Sequence, residues 1–184
     1  MTEGERGLPA EASAPVPAAV VRLGPGEPFD VFYHREMPGL VALARALGGP
    51  AAAEDIAQEA MLAAYRRWSE VASFDSPAAW VRRVCANQAT SALRRRAVEA
   101  RALLRLSRQR PPAVELDPLH ETFWDAVRRL PARQAQVAAL RYVYDLSVAD
   151  IAATLGCSEG SVKVHLSRGR LRIAERITGT GEVR

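Results

Sequence analysis

Lys163, Val164, Ser167 and Arg168 lie close together near the end of a 184-residue chain, and between them they offer a point charge, a methyl surface, a hydroxyl and a guanidinium fork. Such a set can read base edges and hold phosphates, provided that one rigid element presents it to a DNA groove. The surrounding stretch, residues 147–171, predicts that element. Ser147 can cap a first helix, with Asp150 where a carboxylate suits a helix N-terminus. Ile151, Ala152 and Leu155 form its apolar stripe, and Gly156 suits a left-handed helix end. Ser158 caps a second helix at once, so the connection has the shortness of a helix-turn-helix. At about 100° per residue, Val162 and Leu166 share one face of the second helix. Gly160, Val164, Ser167 and Arg168 take the outward side, with Lys163 at its flank and Leu171 projecting to the same side. A small, partly basic, donor-bearing face on a second helix suits major-groove readout.

Two further sets could bind without doing covalent chemistry. Asp55, Gln58 and Glu59 are spaced i, i+3 and i+4, so on a helix they share one face that is either solvated or docks a basic helical surface. Asn87, Ser91, Arg94 and Arg95 also fall along one side of a helix. There an amide can read a base edge while guanidinium groups hold phosphates. Phe74, just upstream, could help bury an extruded base. Trp80 begins an apolar stripe and is assigned to packing.

Other functions find little support. There are no paired carboxylates, no nucleophile–base set and no phosphate loop, so no enzyme chemistry is expected. Two cysteines, Cys85 and Cys157, and three scattered histidines make neither a disulfide framework nor a metal site, and no cofactor is expected. Cys85 shares an apolar side with Val81 and Val84 and reads as a small core residue. The run Leu40–Leu47 is interrupted by Arg45 and is too short to span a bilayer, and the N-terminus lacks a signal-peptide pattern. A soluble cytoplasmic protein without membrane insertion is therefore expected. The formal charge is only +4, but residues 78–110 hold nine arginines against Glu99 alone, a local net of +8 that leaves −4 for the rest. That split suggests a polyanion at one place and a basic protein at another.

The elements that must position these groups are helical. Residues 1–27 are rich in proline, glycine and alanine without periodicity and read as a disordered extension. From Pro28, Phe29, Phe32, Tyr33, Leu40, Val41, Ala44 and Leu47 outline one helix, or a pair interrupted at Pro38-Gly39, ending at Gly48-Gly49-Pro50. A helix over about Ala52–Trp68 turns Ile56, Met61, Tyr65 and Trp68 inward. A loop at 69–76 precedes a long helix opened by Ser76-Pro77. Residues 98–118, with prolines at 111, 112 and 118, read as a linker. Phe123, Val127 and Leu130 then mark a helix, and Pro131 opens another containing Val137, Leu140 and Tyr144. The expected fold is all-α. Two small helical domains, 28–97 and 119–178, are joined by a flexible linker, the second contains the helix-turn-helix, and 179–184 form a tail.

Three clusters in this order resemble an extracytoplasmic-function sigma factor of bacterial RNA polymerase. AEDIAQEAMLAAYRRW (53–68) is similar to the family's region 2.2. FDSPAAWVRRVCANQATSALRRR (74–96) is similar to regions 2.3–2.4, and LPARQAQVAALRYVYDLSVADIAATLGCSEGSVKVHLSRGR (130–170) to region 4. The resemblance covers roughly residues 29–176. It implies that Asp55, Gln58 and Glu59 dock on the clamp-helix coiled coil of core RNA polymerase. Phe74, Asn87, Ser91, Arg94 and Arg95 would bind the −10 element of promoter DNA, and Ser161, Lys163, Val164, Ser167 and Arg168 the −35 element. It also implies an anti-sigma factor as partner. The family often has Asp four residues after the Asn of its WxxxxxxN helix, where this chain has Ser91. A stand-alone helix-turn-helix regulator remains the alternative, and a helical adaptor a more distant one.

Overall fold

A computed structural model describes residues 27–104 and 118–180. The extension at 1–26, most of the linker and the last residues of the tail lie outside the described residues.

The first helix, α1 (Phe29–Gly48), runs unbroken through Pro38. Proline removes one intrahelical bond, but Leu40, Leu43 and Leu47 beyond it are fully buried, and that packing holds the axis together. Gly49, at a φ of 86°, ends the helix, and Pro50–Ala52 form one 3-10 turn. The second helix, α2 (Ala53–Tyr65), stops three residues before the expected end, and Trp68 opens a separate short helix, α3 (Trp68–Val71), inside the expected loop. The break keeps only one of the two aromatics expected inward against the core. Trp68 packs on the rings of Phe29 and Phe32, at centroid distances of 5.2 and 4.8 Å, whereas Tyr65, expected inward, is 60% exposed.

Ser76 Oγ accepts the Ala79 N–H at 3.2 Å and starts α4 (Pro77–Leu104), which continues into the segment read as linker. Val81, Cys85, Ala86 and Ala89 face the core. Burial pushes the Cys85 thiol up to about 12, and its Sγ lies 3.6 Å from the Leu40 carbonyl oxygen. Not every arginine of the basic block is on the surface. Arg82 is buried and donates to Glu36 Oε2 at 2.8 Å. A buried cation needs such a partner.

Four helices follow: α5 (Pro118–Arg128), α6 (Ala132–Tyr144), α7 (Val148–Leu155) and α8 (Glu159–Thr180). Val127, Val137, Leu140, Ile151, Leu155 and Val162 are fully buried. Asp145, at a φ of 50°, turns the chain between α6 and α7, a conformation that a short polar side chain tolerates. The described residues are helical with short turns and contain no strand. The two sequence regions do not stand apart, because α6 packs across α1 and α7 against α4. Buried residues of both regions form one continuous hydrophobic cluster.

Candidate nucleic-acid interface

The helix-turn-helix is built from two local caps. Ser147 Oγ accepts the Asp150 N–H at 3.1 Å, and the Ser147 hydroxyl donates to Asp150 Oδ2 at 2.7 Å. Gly156 takes the left-handed conformation, at a φ of 64°, and its N–H bonds to the Ala152 carbonyl. Ser158 Oγ then accepts the Ser161 N–H at 3.2 Å and starts α8. Val162 and Leu166 anchor the inner face of α8, and Ile173 extends it.

On the outer face Ser161, Lys163, Val164, Ser167 and Arg168 are all exposed, with Val164 at 46%. Ser161 is partly committed to the cap, since its hydroxyl lies 2.9 Å from Ser158 Oγ. Lys163 makes a loose, exposed ion pair with Glu159 at 3.9 Å. Two cations that sequence reasoning missed border this face. Arg141 and Arg170 line a cleft with Val148, Lys163, Leu166 and Ser167. Arg170 could have been found from its spacing, since 163, 167 and 170 follow one helical face. Arg141 comes from α6, and only the packing of α6 beside α8 brings it there. Its guanidinium is oriented by the Leu146 carbonyl at 2.9 Å and Asp145 at 3.2 Å.

On α4, Asn87, Ser91, Arg94 and Arg95 are exposed on one side. Phe74 is half-buried beside Trp80, with 6.4 Å between ring centroids, and precedes the helix. Ten residues of helix, a rise of about 15 Å, separate Pro77 from Asn87, and the Phe74 ring lies toward the start of that span, beside Trp80. Phe74 and Asn87 could contact different nucleotides of one strand, not one base together. Trp80 is half-buried and packs on the core, with the Arg67 guanidinium 6.0 Å from its ring centroid. Asn87 is not entirely free, because its Oδ1 accepts from Gln136 Nε2 at 2.9 Å.

On α2, Asp55, Gln58 and Glu59 are exposed above buried Ile56, Ala57, Ala60 and Met61. Leu62 is 44% exposed and continues this acidic face one turn beyond Gln58 and Glu59. Sequence reasoning missed it, although its position off the Ile56–Met61 stripe was the signal.

The model of sigma-70 region 2 matches residues 32–98, and that of sigma-70 region 4 matches residues 120–173. The chain is 32% identical over 144 residues to the RNA polymerase sigma-E factor of Streptomyces antibioticus, covering 78% of this chain and 77% of the relative. It is 30% identical over 150 residues to the ECF RNA polymerase sigma factor SigM of Mycobacterium tuberculosis, covering 79% and 75%. The fold is similar to the sigma factor RpoE solved with the anti-sigma factor NepR from Bartonella quintana. There the TM-score is 0.65 at 24% identity, over 82% of this chain and 96% of that one. CnrH, solved with the cytosolic domain of CnrY, gives a TM-score of 0.60 at 21% identity over 82% and 88%.

Proposed function

The chain belongs to the extracytoplasmic-function sigma factors of RNA polymerase, and from that premise we propose how its three faces divide the work of initiation. The acidic face of α2 docks core polymerase. Leu62 is its apolar anchor, one turn beyond Gln58 and Glu59 on the side that carries Asp55, which suits a basic helical surface with an apolar seam. The exposed side of α4 holds the melted −10 strand. Asn87 reads a base edge, Ser91 adds a hydroxyl, Arg94 and Arg95 hold phosphates, and Phe74 stacks on an extruded base. Binding the separated strand offsets the cost of unpairing.

The outer face of α8 reads the duplex −35 element. Val164 meets a thymine methyl, Arg168 a guanine edge or phosphate, and Lys163 a phosphate, with Ser161 and Ser167 supplying hydroxyls. Arg141 and Arg170 extend the phosphate contacts along one wall. The chain supplies promoter choice and no catalytic group of its own, and it works in the cytoplasm beside the polymerase. Among the described residues no helix is long and apolar enough to cross a membrane. An anti-sigma factor that covers α2 or α8 would hold the protein inactive.

The observation that carries this reading is the doubly capped α7–α8 pair, which buries Val162 and Leu166 and turns Lys163, Val164, Ser167 and Arg168 outward. A stand-alone regulator would use α8 but would leave the α2 face without a task, and that reading is not favoured. Reconstitution with core polymerase tests the proposal. The chain is expected to bind core enzyme and direct run-off transcription from a promoter fragment that core alone ignores. Binding of duplex DNA without core binding would return the stand-alone regulator.

A further inference from the structure

The two arginines of the cleft beside α8 are each held at one end. Arg170 Nε donates to the Tyr142 hydroxyl at 3.1 Å. The Tyr142 ring stands edge-on against Phe123, at 5.4 Å between centroids and 88° between planes, and Phe123 is braced in the same way by Trp124 at 4.9 Å. The hydroxyl is thus carried on a packed aromatic ladder, and it fixes a side chain that would otherwise sample many rotamers. Arg141, next to Tyr142 on α6, donates to the Leu146 carbonyl oxygen just after the left-handed turn at Asp145. Lys163 and Ser167 line the same cleft one turn apart on α8, and Val148 brings it to the positive end of α7. The acids that pair with these cations, Asp145 and Glu159, do not line the cleft and stand in solvent. Such exposed pairs are weak and give way to a phosphate, which binds a guanidinium more strongly.

We propose, on the reading of α8 as the −35 helix, that this cleft seats one backbone phosphate of the −35 duplex and that Tyr142 is the positioning residue that aims Arg170 at it. With Nε committed to Tyr142, the terminal nitrogens of Arg170 remain to fork on phosphate oxygens. Tyr142 acts through Arg170 and needs no DNA contact of its own. The aromatic ladder has a second consequence. Its rings come from α5 and α6, and the arginine they fix is on α8, so the seat is rigid relative to the whole recognition helix. A seated phosphate carries no sequence information but fixes where along the groove α8 lies. The anchor thereby sets the register in which Val164 and Arg168 meet base edges.

Tyr142→Phe removes the hydroxyl and keeps the ring on Phe123, so the variant should fold with an unchanged urea midpoint. The probe is a promoter fragment selected with wild-type holoenzyme and resynthesised with single methylphosphonates, each neutral at one phosphate, through both strands of the −35 element. Wild-type holoenzyme should lose affinity at one phosphate to which Arg170→Ala holoenzyme is indifferent, and the salt slope of Arg170→Ala should fall by about one. Tyr142→Phe should bind the unmodified fragment about fivefold more weakly, with its loss at that same phosphate blunted and its −35 base preference intact. A tyrosine that only stabilised the fold would lower the midpoint without erasing the response to one phosphate. Tyr142→Phe with the wild-type profile overturns the positioning role, and Arg170→Ala with that profile overturns the seat. Wild-type holoenzyme indifferent to −35 sequence sinks the reading of α8 instead, and the methylphosphonate profile still decides whether the cleft seats a phosphate.

Discussion

Asn87 and Arg94 sit on the same side of one helix but have different expected tasks. Asn87→Ala should lower open-complex formation and relax base preference at one −10 position, a loss of about 1–3 kcal/mol for a base-edge contact. Arg94→Ala should instead weaken binding evenly across sequences and flatten its salt dependence. A −10 library selected with each variant holoenzyme separates the two, and identical profiles would remove Asn87 from the readers. On α2, Asp55→Arg combined with Glu59→Arg sets like charges against a basic partner. Core binding should weaken while helicity is unchanged, since both side chains face solvent. Unaltered affinity in a titration with core enzyme would end the docking assignment. Leu62 belongs to the same test, because an exposed leucine beside acids gains little from the fold and much from an interface.

The recognition helix divides by face, so its substitutions should divide too. Val162→Asp places a charge where the side chain is fully buried and should cost on the order of 2–5 kcal/mol, seen as a lower urea midpoint. Arg168→Ala should leave that midpoint in place and shift the sequences recovered from a −35 promoter library. Recovery of the same sequences with weaker binding would make Arg168 a phosphate ligand, and unchanged binding would mean that α8 presents another face. The caps explain why such a short pair is rigid. Ser147 and Ser158 each satisfy a helix N–H that has no intrahelical acceptor, and Gly156 makes the left-handed turn between them without strain.

Across the whole molecule, two buried groups report on the shared core. Removing the Glu36 carboxylate leaves the Arg82 guanidinium buried without its anion, so Glu36→Ala should destabilise the chain by about 3–5 kcal/mol in denaturant titration. An effect near zero would mean that the pair is solvated in solution and the interface looser than described. Cys85 gives a pH signature. Its thiol is raised from an ordinary 9.0 to about 12 by burial, so folding favours the neutral form. Its contribution to stability is therefore full below pH 9 and is lost as pH climbs toward 12, where the unfolded chain releases the proton first. Alkaline denaturation of Cys85→Ala alongside wild type should show the weaker pH dependence in the variant. At neutral pH, half-buried Cys157 should react with a thiol reagent well before Cys85.

Local patterns decided much of this protein. The spacing of serine, aspartate and glycine at 147–158 was enough to place both caps and the turn, because capping is a matter of a few neighbouring residues. Helical periodicity likewise assigned Val162 and Leu166 inward and Asp55, Gln58 and Glu59 outward, since one face of an amphipathic helix must leave water. Periodicity failed at Tyr65, where the helix ends three residues before Trp68 and packing of the half-buried Trp68 on Phe29 and Phe32 leaves Tyr65 exposed. It also counted Arg82 among surface cations, because its anion, Glu36, lies 46 residues away. The same holds for Gln136 on Asn87, Arg141 beside α8 and Tyr144 against Gly39. Each is a meeting of residues distant along the chain, and no local spacing carries that information. The faces were written in the sequence, and how the two regions cover one another was decided only by tertiary packing.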